Sequence, residues 1–555
     1  MSSDTLSAEA EQVRRRAADL AGPLSQAAGR SATIAQERAI LRMLGVDGLD
    51  GAGHPLAASL VERYCGSDRG RLARGEILPF AVALLEYDLS PRDLALEVVS
   101  GAIDLGLEAE LLERPERLAA AEAHASRLLA AALARFDANR TAARDMRDVL
   151  GLADEPWLGV ALQAAEVGPA AEETKTLVGE GADVVQIRVP ASWEFAEARR
   201  QAGLETPWLF EVEERPGKGG GRSGARGSVG RLTDRRRGAR GLSAPPQRFE
   251  LDVVPAGSQR GLAALRTAAD DAAAERGCYA SLMTVTSAFA APEQAVVAAF
   301  ERIDFVEADP IREIVDDNVD PERALADHAF AHRLQARAGC RVVMGPGPLA
   351  LGADVASGIP SDGATRAGRA LALQALGVEL ALADGLAADR LLLGAVPDWV
   401  AEDGNPCAIL VQAWLRHLIF PDHHLVVGEP RADKPPGRTT ALVTALSGAA
   451  ASLVVRDRAA GSVSESAADL RAAASTAAAL RAALGDGALH GDAAELATRT
   501  LSAANAALER LAGEGWGSLL GPAGRGPEAE PFGRGAIVER ATGPTSGARL
   551  LAALT

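Results

Sequence analysis

From about residue 156 onward, short apolar runs rich in β-branched residues alternate with longer stretches of helical character. This alternation constrains the fold more than any other feature. Eight of the short runs are candidate strands: Trp157–Leu162, Asp183–Val189, Phe249–Val254, Cys278–Val285, Asp304–Glu307, Cys340–Met344, Leu391–Val396 and His424–Val427. The third strand is alternatively Trp208–Val212. Eight strand–helix alternations predict an α/β fold of the (β/α)8 barrel type rather than an open sheet.

The segments on either side of this pattern are richer in alanine and leucine at helical spacing. We therefore expect three regions: an N-terminal helical region at 1–150, the barrel at 151–438, and a C-terminal helical region with a glycine-rich tail at 439–555. In the last region, Ala467–Leu484 and Ala493–Leu511 are the clearest helices, and Ala536–Val538 is a strand-like run.

Residues 214–247 interrupt the predicted barrel with a stretch dominated by glycine, arginine and serine. Such a segment buries too little apolar surface to offset the entropy of ordering it, which predicts a disordered loop. Capture of RNA or phosphate by its arginines is one alternative interpretation, and an inserted stretch without a role of its own is another.

The bulk composition excludes several classes of protein. A formal net charge of −17 repels a phosphate backbone, so general nucleic-acid binding is not expected. We also expect no membrane span, because no run of about 18 uncharged apolar residues occurs, and no signal peptide, because Met1–Arg16 has no apolar core. The cysteines are scattered without a CxxC pair, which predicts free thiols in the cytoplasm and no metal site: Cys65, Cys278, Cys340 and Cys407.

In a (β/α)8 barrel the chemistry lies at the carboxyl ends of the strands. That rule selects the following candidates here: Arg188 and Ser192, Thr284 to Ser287, Glu307, Asp309, and Gly345–Pro348. Only three lysines occur, Lys175, Lys218 and Lys434, so few residues of this chain can form a Schiff base with an aldehyde cofactor.

One N-terminal motif and a series of later segments carry a family resemblance. The motif is TIAQERAILRMLGVDGLD, from Thr33 to Asp50, an apolar helix face ended by Gly45 and a tight Asp47–Gly48 turn. The later segments follow in order: Gly181–Val184, Pro292–Glu293, Arg302–Asp304, Leu410–Ala413, Ile419–Pro421, Lys434–Pro435 and Gly533–Val538. As an ordered series they resemble the large (alpha) subunits of lysine 5,6-aminomutase and D-ornithine 4,5-aminomutase, of which this chain looks like a divergent member.

The resemblance implies an isomerase that moves the terminal amino group of a diamino acid, of the lysine or ornithine type, to the adjacent carbon by a radical 1,2-shift. The large subunit's barrel would hold pyridoxal 5'-phosphate and the substrate. A small cobalamin-binding subunit would supply adenosylcobalamin and the lysine that binds the aldehyde, so we expect a hetero-oligomer. The sequence Asp422–Gly428 is one residue too long for a cobalamin motif of this chain's own.

The resemblance also implies cofactor-binding roles for a set of residues near strand ends: Arg188, Ser192, Ser258, Gln259, Ser287, Asp309 and Asn318. It assigns no catalytic residue. For Arg188 a structural salt bridge is an equal alternative, and Asp309, which precedes Pro310, is equally well explained as a helix N-cap.

The sequence departs from the family pattern at four places. Thr284–Val285 replaces an Asn-Tyr pair whose ring stacks on the cofactor, Asn318 replaces an aspartate, Gly345–Pro348 replaces an acidic loop, and Gly394–Pro397 replaces a histidine and a glutamate. Each lost buried partner weakens binding by about 1–3 kcal/mol. Two alternatives therefore stay open: a catalytically degenerate paralogue that acts as a scaffold or regulator of the cobalamin-binding subunit, and a barrel enzyme with another cofactor.

Overall fold

A computed structural model gives the three-dimensional structure of the chain. It describes residues 3–51, 54–65, 69–162, 167–188, 259–286, 289–315, 317, 319–345, 363–394, 406–428, 438–455, 463–484, 492–516, 540–542 and 545–554.

Eight parallel strands close into a ring, in which each pairs with the next and the last pairs with the first. The strands of the ring are β2 (Trp157–Ala161), β3 (Val184–Arg188), β4 (Ser281–Val285), β5 (Phe305–Glu307), β6 (Arg341–Met344), β7 (Leu391–Leu393), β8 (His424–Gly428) and β9 (Ala451–Val455). Two short strands lie outside the ring: β1 (Ser31–Thr33) before it in the sequence and β10 (Arg540–Thr542) after it. The predicted (β/α)8 barrel is confirmed.

The interior of the barrel is filled by one buried apolar side chain from each strand: Trp157, Val184, Met283, Phe305, Val343, Leu392, Val426 and Ala451. Their neighbours in sequence face the other way and pack against helices, because side chains alternate along a strand. Near the end where the strands begin, the guanidinium carbon of Arg341 lies 5.6 Å from the ring centroid of Trp157 and 5.7 Å from that of Phe305. This layer blocks the barrel on that side.

The strand predictions are wrong at two points. The strand β9 closes the barrel by pairing with both β2 and β8, although an alanine-rich composition predicts helix there, so the barrel extends beyond residue 438. Strands β3 and β4 pair directly, with Val184 opposite Ser281, which leaves no place between them for the predicted third strand. Both predicted positions of that strand, 249–254 and 208–212, lie outside the described residues.

Most of the described residues before the barrel lie in helices: α1 (Ser3–Ala28), α2 (Ile34–Met43), α3 (Leu56–Cys65), α4 (Arg69–Arg74), α5 (Ile77–Tyr87), α6 (Pro91–Ser100), α7 (Leu105–Leu111) and α8 (Pro115–Leu150). Helix α2 begins where the hydroxyl of Thr33 accepts the amide N–H of Gln36 at 3.2 Å. It ends before Gly45, whose φ of +100° requires a residue without a Cβ. The motif thus folds as its sequence predicts.

The remaining helices surround the barrel or follow it: α9 (Val167–Gly179), α10 (Gln259–Arg276), α11 (Ala291–Phe300), α12 (Pro310–Val315), α13 (Pro321–Ala338), α14 (Gly363–Ala383), α15 (Pro406–Ile419), α16 (Arg438–Ser447), α17 (Val463–Leu484), α18 (Asp492–Glu514) and α19 (Ser546–Leu554). Helices α1 and α18 pack against α14 on the outside of the barrel. Within the described ranges, no helix is long and apolar enough to cross a membrane.

The C-terminal tail returns to the N-terminal motif. Strand β10 pairs antiparallel with β1, with Thr542 opposite Ser31. The hydroxyl of Thr545 donates to the buried carboxylate of Glu37, and that of Ser546 donates to the carbonyl of Arg74 at 2.6 Å. The strand-like run predicted at 536–538 lies outside the described residues.

Candidate functional site

Four polar residues meet where β3, β4 and β5 end, and we call them the mouth cluster: Gln186, Thr286, Glu307 and Arg312. The amide nitrogen of Gln186 donates to Glu307 Oε2 at 3.3 Å, and Arg312 Nη1 lies 3.5 Å from Glu307 Oε1. Arg312 Nη2 also donates to the carbonyl of Thr286 at 2.8 Å. Because the carboxyl ends of the strands are the functional end of this fold, the mouth cluster is the candidate site.

Both ionic members of the cluster are largely shielded from solvent, with side-chain exposures of 20% for Arg312 and 15% for Glu307. Burial acts to lower the pKa of Arg312, but the carboxylates of Glu307, Asp317 and Glu313 outweigh it and raise the pKa above its ordinary value. The mouth therefore keeps a fixed positive charge next to a carboxylate.

Arg188, the first of the predicted cofactor residues, ends strand β3. Its backbone pairs with Val285 of β4, which in turn pairs with Glu307 of β5. The main chain at Arg188 is thus level with Glu307 of the mouth cluster. Four other predicted residues, Ser192, Ser258, Ser287 and Asn318, lie outside the described residues, and their roles stay predictions.

Asp309 lies at the end of β5, but its carboxylate serves the next helix. Oδ1 accepts the amide N–H of Ile311 at 2.9 Å, which is the N-cap geometry that Pro310 indicates. A Cβ at Gly345 would lie 3.1 Å from its other oxygen, so the backbone of Gly345 packs closely against this carboxylate. Burial raises the pKa of Asp309 to about 6. These contacts support the capping alternative, and a cofactor-binding role stays a prediction.

Gln259 begins helix α10, where its amide nitrogen donates to Glu301 Oε1 at 3.0 Å. Glu301 directly follows α11 and precedes β5, so it lies towards the end of the barrel where strands begin. This hydrogen bond occupies the amide nitrogen of Gln259. Its predicted cofactor role has no support from this contact.

The opposite side of the mouth, where β6 and β7 end, is built from glycines. The amide of Gly394 donates to the carbonyl of Met344 at 2.5 Å. A Cβ at Gly394 would overlap that carbonyl oxygen and would lie 2.7 Å from the carbonyl carbon of Gly345. The two strand ends are therefore too close for a side chain at residue 394, which explains physically why no acid or histidine stands there.

A buried arginine holds these two strand ends together from behind. Arg416 Nε donates to the amide oxygen of Gln374 at 2.7 Å, and Gln374 Nε2 donates to the carbonyls of Gly345 at 3.0 Å and Gly394 at 3.3 Å. Arg416 is 1% exposed, and burial lowers its pKa to about 10. Arg416 and Gln374 thus fix the shape of the mouth on this side.

The aromatic and amine groups associated with pyridoxal phosphate are absent from the described mouth. The chain has three tyrosines, and Tyr64, Tyr87 and Tyr279 all lie elsewhere. Tyr279 precedes β4, at the opposite end of the strand, where its hydroxyl donates to Asp304 at 2.8 Å. Lys175 is exposed on α9, and the other two lysines lie outside the described residues.

Next to the mouth cluster, α12, α13 and α14 bury two histidines with their acidic partners. His328 Nε2 lies 3.0 Å from Glu313 Oε1, and His332 Nδ1 lies 2.8 Å from Asp384 Oδ2. Burial raises the pKa of Glu313 to about 8 and lowers that of His328 to about 4. At pH 7 the hydrogen bond therefore joins a protonated carboxyl, as the donor, to a neutral imidazole.

The wild-type protein is expected to lose stability as the pH rises from 6.5 to 8, and the substitution Glu313→Gln is expected to abolish this loss. The folded protein retains a proton on Glu313 up to about pH 8, whereas the unfolded chain releases it near pH 4.5. The contribution of Glu313 to the free energy of unfolding is thus fully present below pH 4.5 and falls as the pH rises to 8. His328 acts oppositely, but only below pH 6.5. Between pH 6.5 and 8 the wild type should lose about 2 kcal/mol more than Glu313→Gln.

Urea unfolding of both proteins at pH 6.5 and pH 8 measures this difference. The glutamine amide can donate to the same imidazole nitrogen, so the variant should keep the hydrogen bond without titrating. Equal pH dependence in the two proteins would show that Glu313 is not protonated in the folded state.

Sequence reasoning selected Glu307 and Arg188 by the strand-end rule but missed Gln186 and Arg312. A signal for Gln186 exists, because Gln186 and Arg188 are polar at alternate positions of an otherwise apolar strand. Arg312 comes from a helix, and its approach to Glu307 depends on the turn at Asp309–Pro310. No spacing rule gives that contact.

Comparison with known proteins places this barrel in a family. The family model described as the D-lysine 5,6-aminomutase TIM-barrel domain of the alpha subunit matches residues 5–192 and 256–431, which is more than half of the chain. The match omits 193–255 and with it the arginine- and glycine-rich stretch.

Two similar proteins are lysine 5,6-aminomutase alpha subunits. The one from Fusobacterium nucleatum subsp. nucleatum is 24% identical over 391 residues, covering 70% of this chain and 64% of that protein. The one from Acetoanaerobium sticklandii is 22% identical over 413 residues, covering 74% of this chain and 68% of that protein. The chain therefore matches less than two thirds of the length of the Fusobacterium relative.

A solved structure, Yersinia pestis DHPS with pterine-sulfa conjugate Compound 16, has a TM-score of 0.29 at 17% identity and covers 59% of this chain and 94% of that chain. That likeness is too weak to support an argument. The family match and the confirmed barrel are sufficient, and the chain belongs to the family of D-lysine 5,6-aminomutase alpha-subunit TIM-barrel domains.

Proposed function

We propose that this chain is the large subunit of an adenosylcobalamin- and pyridoxal-phosphate-dependent aminomutase. The enzyme moves a terminal amino group of a diamino acid, of the lysine or ornithine type, to the adjacent carbon by a radical 1,2-shift. A small cobalamin-binding subunit completes it as a hetero-oligomer. The observation that carries the proposal is the family match, which includes the N-terminal helical region and the ring strands β2 to β8.

The donor set of the mouth cluster fits a dipolar ligand. A guanidinium and a carboxylate, Arg312 and Glu307, stand in one network with the amide of Gln186. Pyridoxal phosphate and an amino acid both carry anionic and cationic groups, which such a set can bind by charge-assisted hydrogen bonds. The buried thiol of Cys340 forms no disulfide, which is consistent with a reducing compartment, and a cytoplasmic location is part of the proposal.

When bound, the two cofactors supply the radical and the conjugated ring that stabilises it. The chain's own residues bind, orient and exclude water. In this proposal Arg312 binds an anionic group, Glu307 accepts from a cationic one, and Gln186 holds Glu307 in place. The apolar layer with Arg341 below it keeps water from entering through the opposite end of the barrel.

The alternative of a degenerate paralogue, a scaffold or regulator of the small subunit, is favoured by one specific observation. None of the three tyrosines lies at the mouth, so no tyrosine of this chain can stack on a cofactor ring there. The glycines at 345 and 394 add to this, because no charged group projects from either position.

Titration of the purified two-subunit complex with pyridoxal phosphate tests the proposal. We expect an absorption band of protein-bound cofactor that shifts when D-lysine, D-ornithine or lysine is added. Arg312→Met should weaken cofactor binding about tenfold, the effect of losing one charge-assisted hydrogen bond. Arg499→Met, at an exposed site on α18, is the matched control and should bind as the wild type does.

Failure of the complex to bind pyridoxal phosphate would contradict the proposal. A band that responds to none of the three amino acids would favour the non-catalytic paralogue instead.

A further inference from the structure

The backbone between β4 and α11 is fixed at two points only three residues apart. At the first, the amide of Thr286 donates to the carbonyl of Glu307 at 2.8 Å, and its own carbonyl accepts from Arg312 at 2.8 Å. At the second, Phe289 is 1% exposed and has a φ of +62°. That conformation is costly for a residue with a Cβ, so surrounding contacts must maintain it.

In the described part of the chain, residues from three different elements contact Phe289. Arg38 Nη2 donates to its carbonyl at 2.8 Å, Glu313 accepts from its amide, and the guanidinium carbon of Arg323 lies 4.8 Å from its ring centroid. Arg312 and Glu313, which are consecutive in α12, thus hold the two ends of this short segment. Arg38 differs from the other contacts because it comes from α2, in the N-terminal motif.

Arg38 is itself buried and fixed. It is 3% exposed, and its Nε donates to Glu293 Oε2 at 2.7 Å. Arg42, one turn later, donates to the other oxygen of the same carboxylate, also at 2.7 Å. Burial acts to raise the pKa of Glu293, but these two guanidiniums outweigh it and lower the pKa below its ordinary value. The carboxylate is therefore charged and aligns Arg38 with the carbonyl of Phe289.

We infer that Arg38 is a positioning residue for the barrel mouth. Through Phe289 it sets the backbone that follows β4, beside the mouth cluster, without touching the ligand. This inference rests on the proposed function for the identity of the ligand. It assigns a task to the N-terminal motif that the family resemblance singled out, because the side chain of Arg38 reaches from that motif to the backbone beside the mouth cluster.

Arg38→Lys and Arg42→Met in the two-subunit complex give a matched comparison. Arg42 also pairs with Glu293. The hydrogen bonds of Arg42 in the described part of the chain go to Glu293 and Asp47, and none goes to Phe289. Lysine at residue 38 keeps a positive charge beside Glu293. Its single ammonium cannot donate to Glu293 and to the carbonyl of Phe289 in the two directions that the guanidinium does. Arg38→Met, which removes the charge as well as the hydrogen bonds, serves as the second variant.

Hydrogen exchange of peptides spanning 284–292 and titration with pyridoxal phosphate are the readouts. We expect both Arg38 variants to raise exchange in this segment and to weaken cofactor binding about tenfold, while Arg42→Met stays within about twofold of the wild type. Thermal unfolding midpoints of Arg38→Lys and Arg42→Met should agree.

Equal exchange and equal affinity in the Arg38 and Arg42 variants would overturn the inference, as would raised exchange with unchanged affinity. A wild-type complex that takes up no pyridoxal phosphate would instead contradict the proposed function. In that case the exchange comparison alone still decides whether Arg38 holds the segment.

Discussion

Replacement of Asp327 by alanine is expected to destabilise the protein by about 3–5 kcal/mol, the usual result of leaving one member of a buried ion pair without its partner. Arg323 and Asp327 lie one turn apart on α13, with Nε and Oδ2 2.9 Å apart and exposures of 0% and 1%. The hydroxyl of Thr33 also donates to Asp327. The substitution therefore removes a carboxylate that serves both the barrel helix and the start of α2.

The control is Glu495→Ala, which breaks another arginine–acid pair one turn apart. Arg499 and Glu495 are 53% and 73% exposed and 4.0 Å apart, so the change should be within about 0.5 kcal/mol. Urea unfolding followed by circular dichroism measures both. A similar small effect in the two variants would mean that solvent reaches Arg323 in the native state.

Gly368→Ala is expected to destabilise the packing of α14 against α18 by about 3 kcal/mol, the upper part of the range for overpacking. A Cβ at residue 368 would lie 2.5 Å from the carbonyl oxygen of Thr500 and 2.6 Å from the Cβ of Ala503. These atoms belong to the backbone and first side-chain atom of a helix, so they can move only if α18 shifts as a whole.

Gly513→Ala is expected to change the stability in the opposite direction, although it lies in the same pair of helices. Residue 513 lies in the last turn of α18, and a Cβ there would meet nothing within 4 Å. Alanine is favoured over glycine in a helix by up to about 1 kcal/mol, so this variant should be slightly more stable. Thermal unfolding midpoints of the two variants that shift in the same direction would contradict the contrast between a crowded glycine and an open one.

The repeated pattern of strands and helices was sufficient to predict the barrel, because alternating β and α segments have few stable closed arrangements. The same pattern did not predict β9, because Ala451–Val455 lies within alanine-rich sequence that is typical of helices. The choice of Phe249–Val254 failed for a related reason. An apolar run of strand length does not specify its neighbours, and the direct pairing of β3 with β4 leaves no position between them in the ring for a strand from this run.

The site was less predictable than the fold. The strand-end rule located Glu307 because that residue is fixed to a strand. Arg312, Gln374 and Arg416 act from helices, and their direction depends on how each helix packs on the barrel. Asp309 shows that the rule selects by position alone, since this strand-end carboxylate also accepts the amide N–H of Ile311 at the start of α12.

In the proposed reaction, this barrel together with a small cobalamin-binding subunit moves an amino group between adjacent carbons. Incubation of the complex and both cofactors with D-lysine or D-ornithine carrying 15N on the terminal amine and 13C on the last two carbons tests it directly. We predict that 13C–15N coupling in the product will move from the terminal carbon to its neighbour. Coupling that stays on the terminal carbon, in a complex that binds both cofactors, would contradict the proposed amino-group shift and favour the non-catalytic paralogue.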